Sequence, residues 1–316
     1  MKIHIISTVN GQQNEGMRNV ATHISRRFEE QNKVVFSSLR DLLKIPFNCM
    51  KSDVTMIFAR CTKTVYSVAK VCSLFSKKLV MVMVQKPQDE FLKKNTAHPI
   101  NCDWLTICEK DAEEIVLCKD RRITLFEAGI NAEKFSPVSR ERAEELKEKY
   151  GFDKTKPLVV HVGHCSQGRG LEDFCHIDGA LFSRLVVASG MFESQDTVNT
   201  LEKAGVRLIS GYIENINEIY QMADAYLFPT KSGDFVISVP LSVMEALSCG
   251  TPAVCYESFD KVKSIKTTDQ KAVTFVQDKA QLQSAVLKAA QYKTDSSWLA
   301  SPKSWDEVAD EIYKIL

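Results

Sequence analysis

The sequence predicts an α/β protein with two doubly wound parallel sheets. In both halves of the chain, short apolar runs alternate with segments of helical periodicity, which is typical of parallel sheets covered by helices. The chain has 316 residues, enough for two domains of ordinary size. A glycine turn and a linker that ends at Pro137 separate the halves. We therefore expect domains at residues 1–135 and 136–302, and a terminal helix at residues 303–316.

The composition argues against several classes of protein. Apolar residues make up 44% of the chain and charged residues 26%, as in soluble globular proteins. The longest apolar run, Leu79–Val84, is too short to span a bilayer as a helix, and the N-terminus lacks a signal-peptide pattern. The ten cysteines show no Cys-x-x-Cys pair and no zinc spacing. We expect a cytoplasmic protein with free buried thiols, among them Cys49, Cys72, Cys249 and Cys255.

The charge is unevenly distributed. Residues 1–130 contain 20 Lys and Arg against 14 Asp and Glu, whereas the remainder contains 21 against 26. A basic first half fits a surface that meets anionic lipid, a phosphorylated carrier or an acidic glycan, and it equally fits an ordinary solvated surface. Lys63, Lys70 and Lys77 would share one face of a helix, so the protein could lie peripherally on the inner face of a membrane. Packing of that helix on the sheet is the interpretation we prefer.

In the first half, compact apolar runs predict strands. The loop Asn10–Gly16 joins the first strand to a helix that begins near Met17. A strand, a glycine-bearing loop and a helix N-terminus suit a phosphate, although such loops often only turn the chain. Further helices are expected at 63–78 and Glu109–Leu117. The expected strands are Ile3–Ser7, Lys33–Ser38, Val54–Ala59, Leu79–Val84, Trp104–Cys108 and Arg122–Phe126.

The second half repeats the alternation of strands and helices. Strands are expected at Leu158–Val162, Arg184–Ser189, Val206–Ser210 and Ala253–Cys255. Helices are expected at 139–150, 194–203, 279–292 and Ser304–Leu316.

A further helix is expected between Pro240 and Gly250, with Glu245 near its middle. The residues Leu241, Met244, Ala246 and Leu247 would form its apolar face. A carboxylate among buried residues needs a partner, and a ligand rich in hydroxyl groups is one candidate.

The segment Pro240–Val254 carries a resemblance to a known family. Its residues, Pro-Leu-Ser-Val-Met-Glu-Ala-Leu-Ser-Cys-Gly-Thr-Pro-Ala-Val, resemble the donor-binding segment of retaining GT-B glycosyltransferases of family 4. Glu245 matches the second glutamate of that family's pattern, which holds the ribose of a nucleotide sugar. This chain departs from the pattern at two positions, because Ile237 stands where the first glutamate is usual and Gln85 where a histidine is usual.

A second motif, Gly163–Gly170, is similar to the family's Gly-Arg, four residues, Lys-Gly, whose two cations contact the diphosphate. His164 stands at the arginine position and Arg169 at the lysine position. A guanidinium binds phosphate well, whereas the charge of a histidine depends on pH. The alternative is a glycine-rich connection with an exposed arginine. The segment Glu127–Pro137 resembles the family's interdomain segment, and Asn217–Pro229 resembles a family segment with a helix followed by a buried strand.

The resemblance implies a GT-B fold with two Rossmann-like domains that face a cleft, and a C-terminal helix that crosses back to the first domain. Ligands of such sheets bind outside the carboxyl ends of the strands. Tyr212 is expected either to stack on the base or to lie in the core. The implied catalytic residues are Arg169 and Glu245, and the implied nucleotide-sugar-binding residues are Gly16, Arg18, Gly163, His164, Arg169, Gly211, Tyr212, Ile213, Leu241, Ser242 and Glu245.

The resulting functional hypothesis is a glycosyltransferase that moves a sugar from a UDP or GDP sugar to a glycan, a lipid carrier or a small molecule. Retention of anomeric configuration is implied by the resemblance. No cofactor, metal or nucleic acid is expected, and the chain has no Asp-x-Asp triplet. Two alternatives stay open. The first is a catalytically silent GT-B subunit that binds a nucleotide sugar, or nothing, and serves as a partner protein. The second is another enzyme of the same architecture, such as a nucleotide-sugar epimerase.

Overall fold

The computed structural model describes residues 1–7, 16–116, 122–190 and 193–316. Most of the predicted loop Asn10–Gly16, and Leu117 at the end of a predicted helix, lie outside the described residues. The contacts divide the chain into two compact units. Unit 1 comprises residues 1–129, 237–239 and 303–316, and unit 2 comprises residues 130–236 and 240–302.

Each unit contains a six-stranded parallel sheet, so the predicted fold class is confirmed. In unit 1 the strand order is β2-β1-β3-β4-β5-β6, with β1 Lys2–Ile6, β2 Lys33–Ser37, β3 Val54–Phe58, β4 Leu79–Met83, β5 Asp103–Thr106 and β6 Ile123–Leu125. In unit 2 it is β12-β11-β10-β7-β8-β9, with β7 Leu158–Gly163, β8 Ser183–Ala188, β9 Arg207–Ser210, β10 Ala225–Phe228, β11 Ala253–Tyr256 and β12 Val273–Val276.

Helices follow the strands along the described chain. Their bounds are α1 Gly16–Glu29, α2 Lys44–Met50, α3 Lys63–Phe75, α4 Asp89–Ala97, α5 Glu109–Val116, α6 Arg140–Lys149, α7 Gln195–Lys203, α8 Ile216–Met222, α9 Leu241–Ser248, α10 Leu282–Ala290 and α11 Trp305–Ile315. Short 3₁₀ turns lie at Leu171–His176 and Lys279–Gln281, among others.

Burial on both faces explains the composition of the central strands. Every residue of β3 and of β4 is buried, as expected for strands covered by helices on both sides of a parallel sheet. Aromatic side chains fill the space beside β5, where the Phe91 ring meets Tyr66 and Trp104 edge to face at centroid distances of 6.0 Å. The predicted buried thiols Cys49, Cys72, Cys249 and Cys255 are all free and buried.

The terminal helix α11 belongs to unit 1 and packs on α1. The Trp305 ring stacks on His23 at 5.1 Å, and the Arg27 guanidinium pairs with Asp310 at 2.9 Å. Ser304 and Glu307 form a capping box at its N-terminus, which satisfies first-turn N–H groups. The described structure thus places the last helix of the chain on the first sheet unit, as the sequence led us to expect.

The sequence did not predict three of the elements that the structure contains. Helix α2 contains Pro46, which usually marks a helix boundary, but here it lies within the first turn, where a missing N–H costs little. Helix α4 has mostly polar residues and weak periodicity. Strand β12 is a four-residue edge strand. The helix expected at 279–292 is instead a 3₁₀ turn followed by α10.

Candidate functional site

The carboxyl ends of three neighbouring strands lie together in unit 2. Gly163 at the end of β7 pairs in register with Ala188 at the end of β8. The N–H of Ser189 donates to the Gly163 carbonyl at 3.0 Å, and the N–H of Gly211, after β9, donates to the Ala188 carbonyl at 2.9 Å. His164 Nδ1 lies 2.6 Å from Ser189 Oγ. The predicted residues Gly163, His164 and Gly211 therefore share one edge of this sheet.

Arg169 lies in a tight loop whose shape requires glycine on both sides. Gly168 and Gly170 adopt φ values of 87° and 74°, in the left-handed region that side chains disfavour. A Cβ atom on Gly170 would lie 2.5 Å from the carbonyl oxygen of Pro229. The loop turns the Arg169 side chain inward, so that it is only 4% exposed. The alternative of an exposed arginine in a glycine-rich connection is therefore wrong.

The guanidinium of Arg169 lies beside the end of β7. A Cβ atom on Gly163 would lie 2.8 Å from Arg169 Nη2, so that a larger residue there would displace the cation. The ring of Phe228 lies 5.7 Å from the guanidinium carbon. Burial lowers the pKa of Arg169. A guanidinium group is suited to bidentate binding of phosphate.

His161 is a residue of this site that the sequence analysis missed. It is fully buried in β7, with Nδ1 2.9 Å from the carbonyl oxygen of Leu227, so Nδ1 carries the proton. Burial, with the charge of Arg169, lowers the pKa of His161 to about 3, which keeps the ring neutral. Among the described residues no group hydrogen-bonds its Nε2. The signal was available, since His161 is the polar residue in the apolar run Leu-Val-Val-His-Val.

Tyr226 connects the end of β7 to the beginning of α9. Its hydroxyl donates to the carbonyl of Val162 at 3.1 Å, and its ring stacks on His161 at 5.8 Å. Burial raises the pKa of Tyr226, whereas its interactions with Ser242 and Arg169 lower it. Arg169 and Ser242, which are distant in sequence, thus act on one buried phenol.

The N-terminus of α9 offers backbone donors. The N–H groups of Val243 and Met244 bond to the carbonyl of Pro240 at 3.1 and 3.3 Å, whereas no described group accepts from the N–H groups of Leu241 and Ser242. The described chain provides no side-chain cap for this helix, and its first turn carries no acidic residue. These donors and the positive end of the helix dipole favour an anion.

The apolar face of α9 differs from the one expected. Leu241 is only half-buried, whereas Val243, Met244, Ala246 and Leu247 are buried. Leu241 is the first residue of the helix, ahead of the turn that packs against the sheet. The prediction that Leu241 belongs to the buried face is therefore wrong.

Glu245 finds a partner within the chain. The hydroxyl of Tyr220, on α8, donates to Glu245 Oε2 at 2.7 Å. Burial raises the pKa of Glu245 to about 7, although the hydrogen bond from Tyr220 and the charge of Lys134 act in the opposite direction. A ligand is therefore not required to satisfy this oxygen. No described donor reaches Oε1, which is left to accept from a hydroxyl group.

Tyr212 and its neighbours follow β9. Tyr212 is 54% exposed, so it does not belong to the core. Gly211 has φ 108°, which permits the turn before it, and Ile213 is half-buried.

Gly16 and the position of the missing glutamate are close together in unit 1. Gly16 begins α1, and a Cβ atom on it would lie 2.8 Å from Cδ1 of Ile237. Ile237 is 7% exposed, and the next residue, Ser238, donates its N–H to the carbonyl of Val84 at 2.8 Å. The Ser238 hydroxyl also bonds to the carboxylate of Asp111. The chain thus uses an apolar residue at position 237 to pack against α1.

The other predicted residues of unit 1 are half-buried. Arg18 lies in the first turn of α1, and Gln85 follows β4. In the part of the chain that the structure describes, no three His, Cys, Asp or Glu side chains are grouped so that they could hold a metal ion. No described helix has the length and hydropathy needed to cross a membrane.

Comparison in sequence identifies a family and a relative. Residues 156–292, which include β7 to β12, match the family model of glycosyl transferases group 1. The alpha-galactosylglucosyldiacylglycerol synthase of Streptococcus pneumoniae is 26% identical over 143 residues, which are 42% of this chain and 37% of that protein. The aligned region thus spans little more than a third of that relative's length.

Comparison of structures covers the whole chain. HepE of Anabaena, in complex with UDP-glucose, superposes with a TM-score of 0.80 and 13% identity, over 100% of this chain and 99% of HepE. Sucrose-phosphate synthase of Thermosynechococcus elongatus gives a TM-score of 0.75 and 13% identity, over 99% of this chain and 98% of the synthase. At such identities the likeness shows the fold, which is GT-B. The predicted resemblance to GT-B glycosyltransferases is confirmed.

Proposed function

We propose that this protein is a glycosyltransferase that uses a nucleotide-diphosphate sugar as donor. The observation that carries the proposal is the convergence of Arg169, the N-terminus of α9 and Glu245 around Tyr226 and Tyr220 in unit 2. The match of residues 156–292 to glycosyl transferases group 1 supports it independently.

Stabilisation of the leaving group is assigned to Arg169 and to α9. Transfer requires the nucleotide diphosphate to depart while positive charge develops on the sugar. The buried guanidinium of Arg169 and the N–H groups of Leu241 and Ser242 would bind the diphosphate oxygens. Donors that are fixed before the reaction stabilise such charge without reorganisation. Because the Arg169 guanidinium and the N-terminus of α9 would stabilise this charge, we propose that transfer needs no metal ion.

Recognition of the nucleoside is assigned to Glu245 and Tyr212. Tyr220 orients the Glu245 carboxylate through Oε2, so that Oε1 is positioned to accept from the ribose hydroxyls. The exposed ring of Tyr212 would stack on the base. HepE was solved with UDP-glucose, which favours a UDP sugar over a GDP sugar as the first donor to test.

The acceptor and the stereochemistry are further parts of the proposal. The acceptor is a glycan, a lipid carrier or a small molecule. Retention of anomeric configuration rests on the resemblance of Pro240–Val254 to retaining enzymes. We propose no nucleic-acid partner and no cofactor beyond the donor.

A silent nucleotide-sugar-binding subunit is the second candidate. Ile237 favours it, because its buried side chain against Gly16 replaces the glutamate that the family pattern places there. Binding of a donor without release of nucleotide diphosphate, with every class of acceptor supplied, would identify this case.

The test is a panel of nucleotide sugars incubated with the full chain, without added metal, while release of nucleotide diphosphate is followed. We expect release from one donor and none from the Glu245→Ala variant. Glu257→Ala is the control, because Glu257 is a half-exposed carboxylate of the same unit. If thermal-shift measurements show no binding of any nucleotide or nucleotide sugar, the transferase proposal fails.

A further inference from the structure

Helices α2 and α3 of unit 1 expose large apolar side chains. Leu43 is 95% exposed and Leu74 is 79% exposed, far more than is usual for leucine in a folded protein. We use the name α2–α3 surface for the exposed apolar residues Leu42, Leu43, Phe47, Met50, Leu74 and Phe75. The two helices are neighbours in the unit.

The pattern of the sequence directs these residues outward. Helix α2 buries Ile45 and Cys49, and this leaves Phe47 and Met50 on its opposite face, where a surface helix normally carries polar residues. Helix α3 likewise buries a face that includes Cys72, and Leu74 and Phe75 remain outside. Large apolar side chains exposed on two neighbouring helices are typical of an interaction site.

The charge around this surface is mainly basic. Residues 41–88 contain eight Lys and Arg and two acids, Asp41 and Asp53. The Asp41 carboxylate accepts from the backbone N–H of Ser38 at 2.7 Å. The Asp53 carboxylate accepts from the backbone N–H of Lys2 at 2.8 Å and pairs with Lys77 at 3.0 Å. Lys44 and Lys51 are exposed beside the apolar residues, and Lys51 Nζ lies 3.9 Å from the centre of the Phe47 ring.

The lysine stripe expected on α3 is not the main feature of this region. Lys70 is half-buried and donates to the carbonyl of Pro99 at 2.8 Å, and Lys77 is engaged by Asp53. Of the three lysines, only Lys63 is both exposed and outside these contacts. The apolar residues and the lysines of α2 define the surface instead.

We propose that the α2–α3 surface docks on a lipid bilayer that contains anionic lipids. The apolar side chains would enter the boundary between headgroups and acyl chains, while the long side chains of Lys44 and Lys51 reach the phosphates. An excess of lysine over acids complements an anionic surface, whereas an interface for an ordinary protein partner would be depleted of lysine. No residue of the site in unit 2 is involved, so this inference goes beyond the proposed function.

The test is sedimentation of the full chain with vesicles, without any sugar donor. One set of vesicles is pure phosphatidylcholine, and the other also contains phosphatidylglycerol. We expect the protein to bind the anionic vesicles at least tenfold more tightly, with affinity that falls as salt is raised. The variant Leu43→Ser/Phe47→Ser/Leu74→Ser should lose this binding, and Lys44→Glu/Lys51→Glu should lose the preference for anionic lipid.

The control is Leu181→Ser/Leu287→Ser, which removes two half-exposed leucines of unit 2 and should leave binding unchanged. Because every substituted side chain is exposed, the variants should keep the circular-dichroism spectrum of the wild type. Absence of vesicle binding would overturn the proposal, as would equal binding to both vesicles or full binding by the triple variant. If the wild type does not bind vesicles but forms a dimer, and only the triple variant disrupts that dimer, the surface would serve self-association instead.

Discussion

Arg169 is held by a loop rather than by a helix or a strand, and its position depends on three glycines. Gly168 and Gly170 shape the turn, and Gly163 leaves room for the guanidinium. The sequence motif indicated both the residue and its spacing. It could not indicate that the side chain is buried, because burial depends on Phe228 and Gly163, which lie on strands β10 and β7.

Substitution of Arg169 by Ala should lower turnover by about 10²-fold or more, because a stabiliser of the leaving group acts mainly in the transition state. The measurement is kcat and KM for release of nucleotide diphosphate. Arg140→Ala is the matched control, since the Arg140 side chain is 90% exposed in the same unit. A kcat for Arg169→Ala equal to that of the control would remove Arg169 from the mechanism.

Glu245 should make stability depend on pH. Burial raises its pKa in the folded protein to about 7 from an ordinary value of 4.5, so between these values the folded state binds the proton more tightly than the unfolded state. The contribution of this group to the free energy of unfolding therefore falls as pH rises from about 4.5 to 7. The amide of Glu245→Gln cannot titrate. Relative to the wild type, the free energy of unfolding of this variant should therefore rise by about 1–3 kcal/mol between pH 4.5 and pH 8.

Urea unfolding of both proteins at several pH values measures this difference. Glu257→Gln, at a half-exposed carboxylate, is the control. A difference between wild type and Glu245→Gln that stays constant with pH would show that Glu245 is not buried as described.

At the scale of elements, alternation of apolar runs and helical segments was sufficient to predict both sheets. Strands β3 and β4 were identified by their compact apolar composition, because burial on both faces demands it. Helix α2 was missed because Pro46 suggests a break. Tyr220 and Tyr226 were missed as site residues because their roles come from contacts with other strands and helices, which no local pattern reveals.

Gly170 lies in the connection from β7 to the following 3₁₀ turn. Adding one methyl group at this position should lower the stability of the protein. Gly170→Ala combines a left-handed φ of 74° with a contact of 2.5 Å to the Pro229 carbonyl, so we expect a loss of about 1–3 kcal/mol in the free energy of unfolding. Gly205→Ala is the control, because it has φ 71° but its Cβ would meet nothing closer than 3.6 Å. Equal losses in urea unfolding would show that the contact with Pro229 is unimportant.

At the scale of the whole molecule, the GT-B fold and the match of residues 156–292 to glycosyl transferases group 1 agree with the site in unit 2. The sequence did not reveal the α2–α3 surface, because exposure of Leu43 and Leu74 follows from how α2 and α3 pack on the sheet of unit 1. We therefore propose that unit 2 binds the nucleotide sugar and that unit 1 docks on the membrane.

Calorimetric titration of the full chain with UDP and with GDP, in the absence of metal, tests the central claim most directly. We expect one of the two nucleotides to bind, and both Arg169→Ala and Glu245→Ala to weaken that binding at least tenfold, while Glu257→Ala leaves it unchanged. Failure of both nucleotides to bind the wild type, or binding that both variants retain in full, would contradict the assignment of the nucleotide-sugar site.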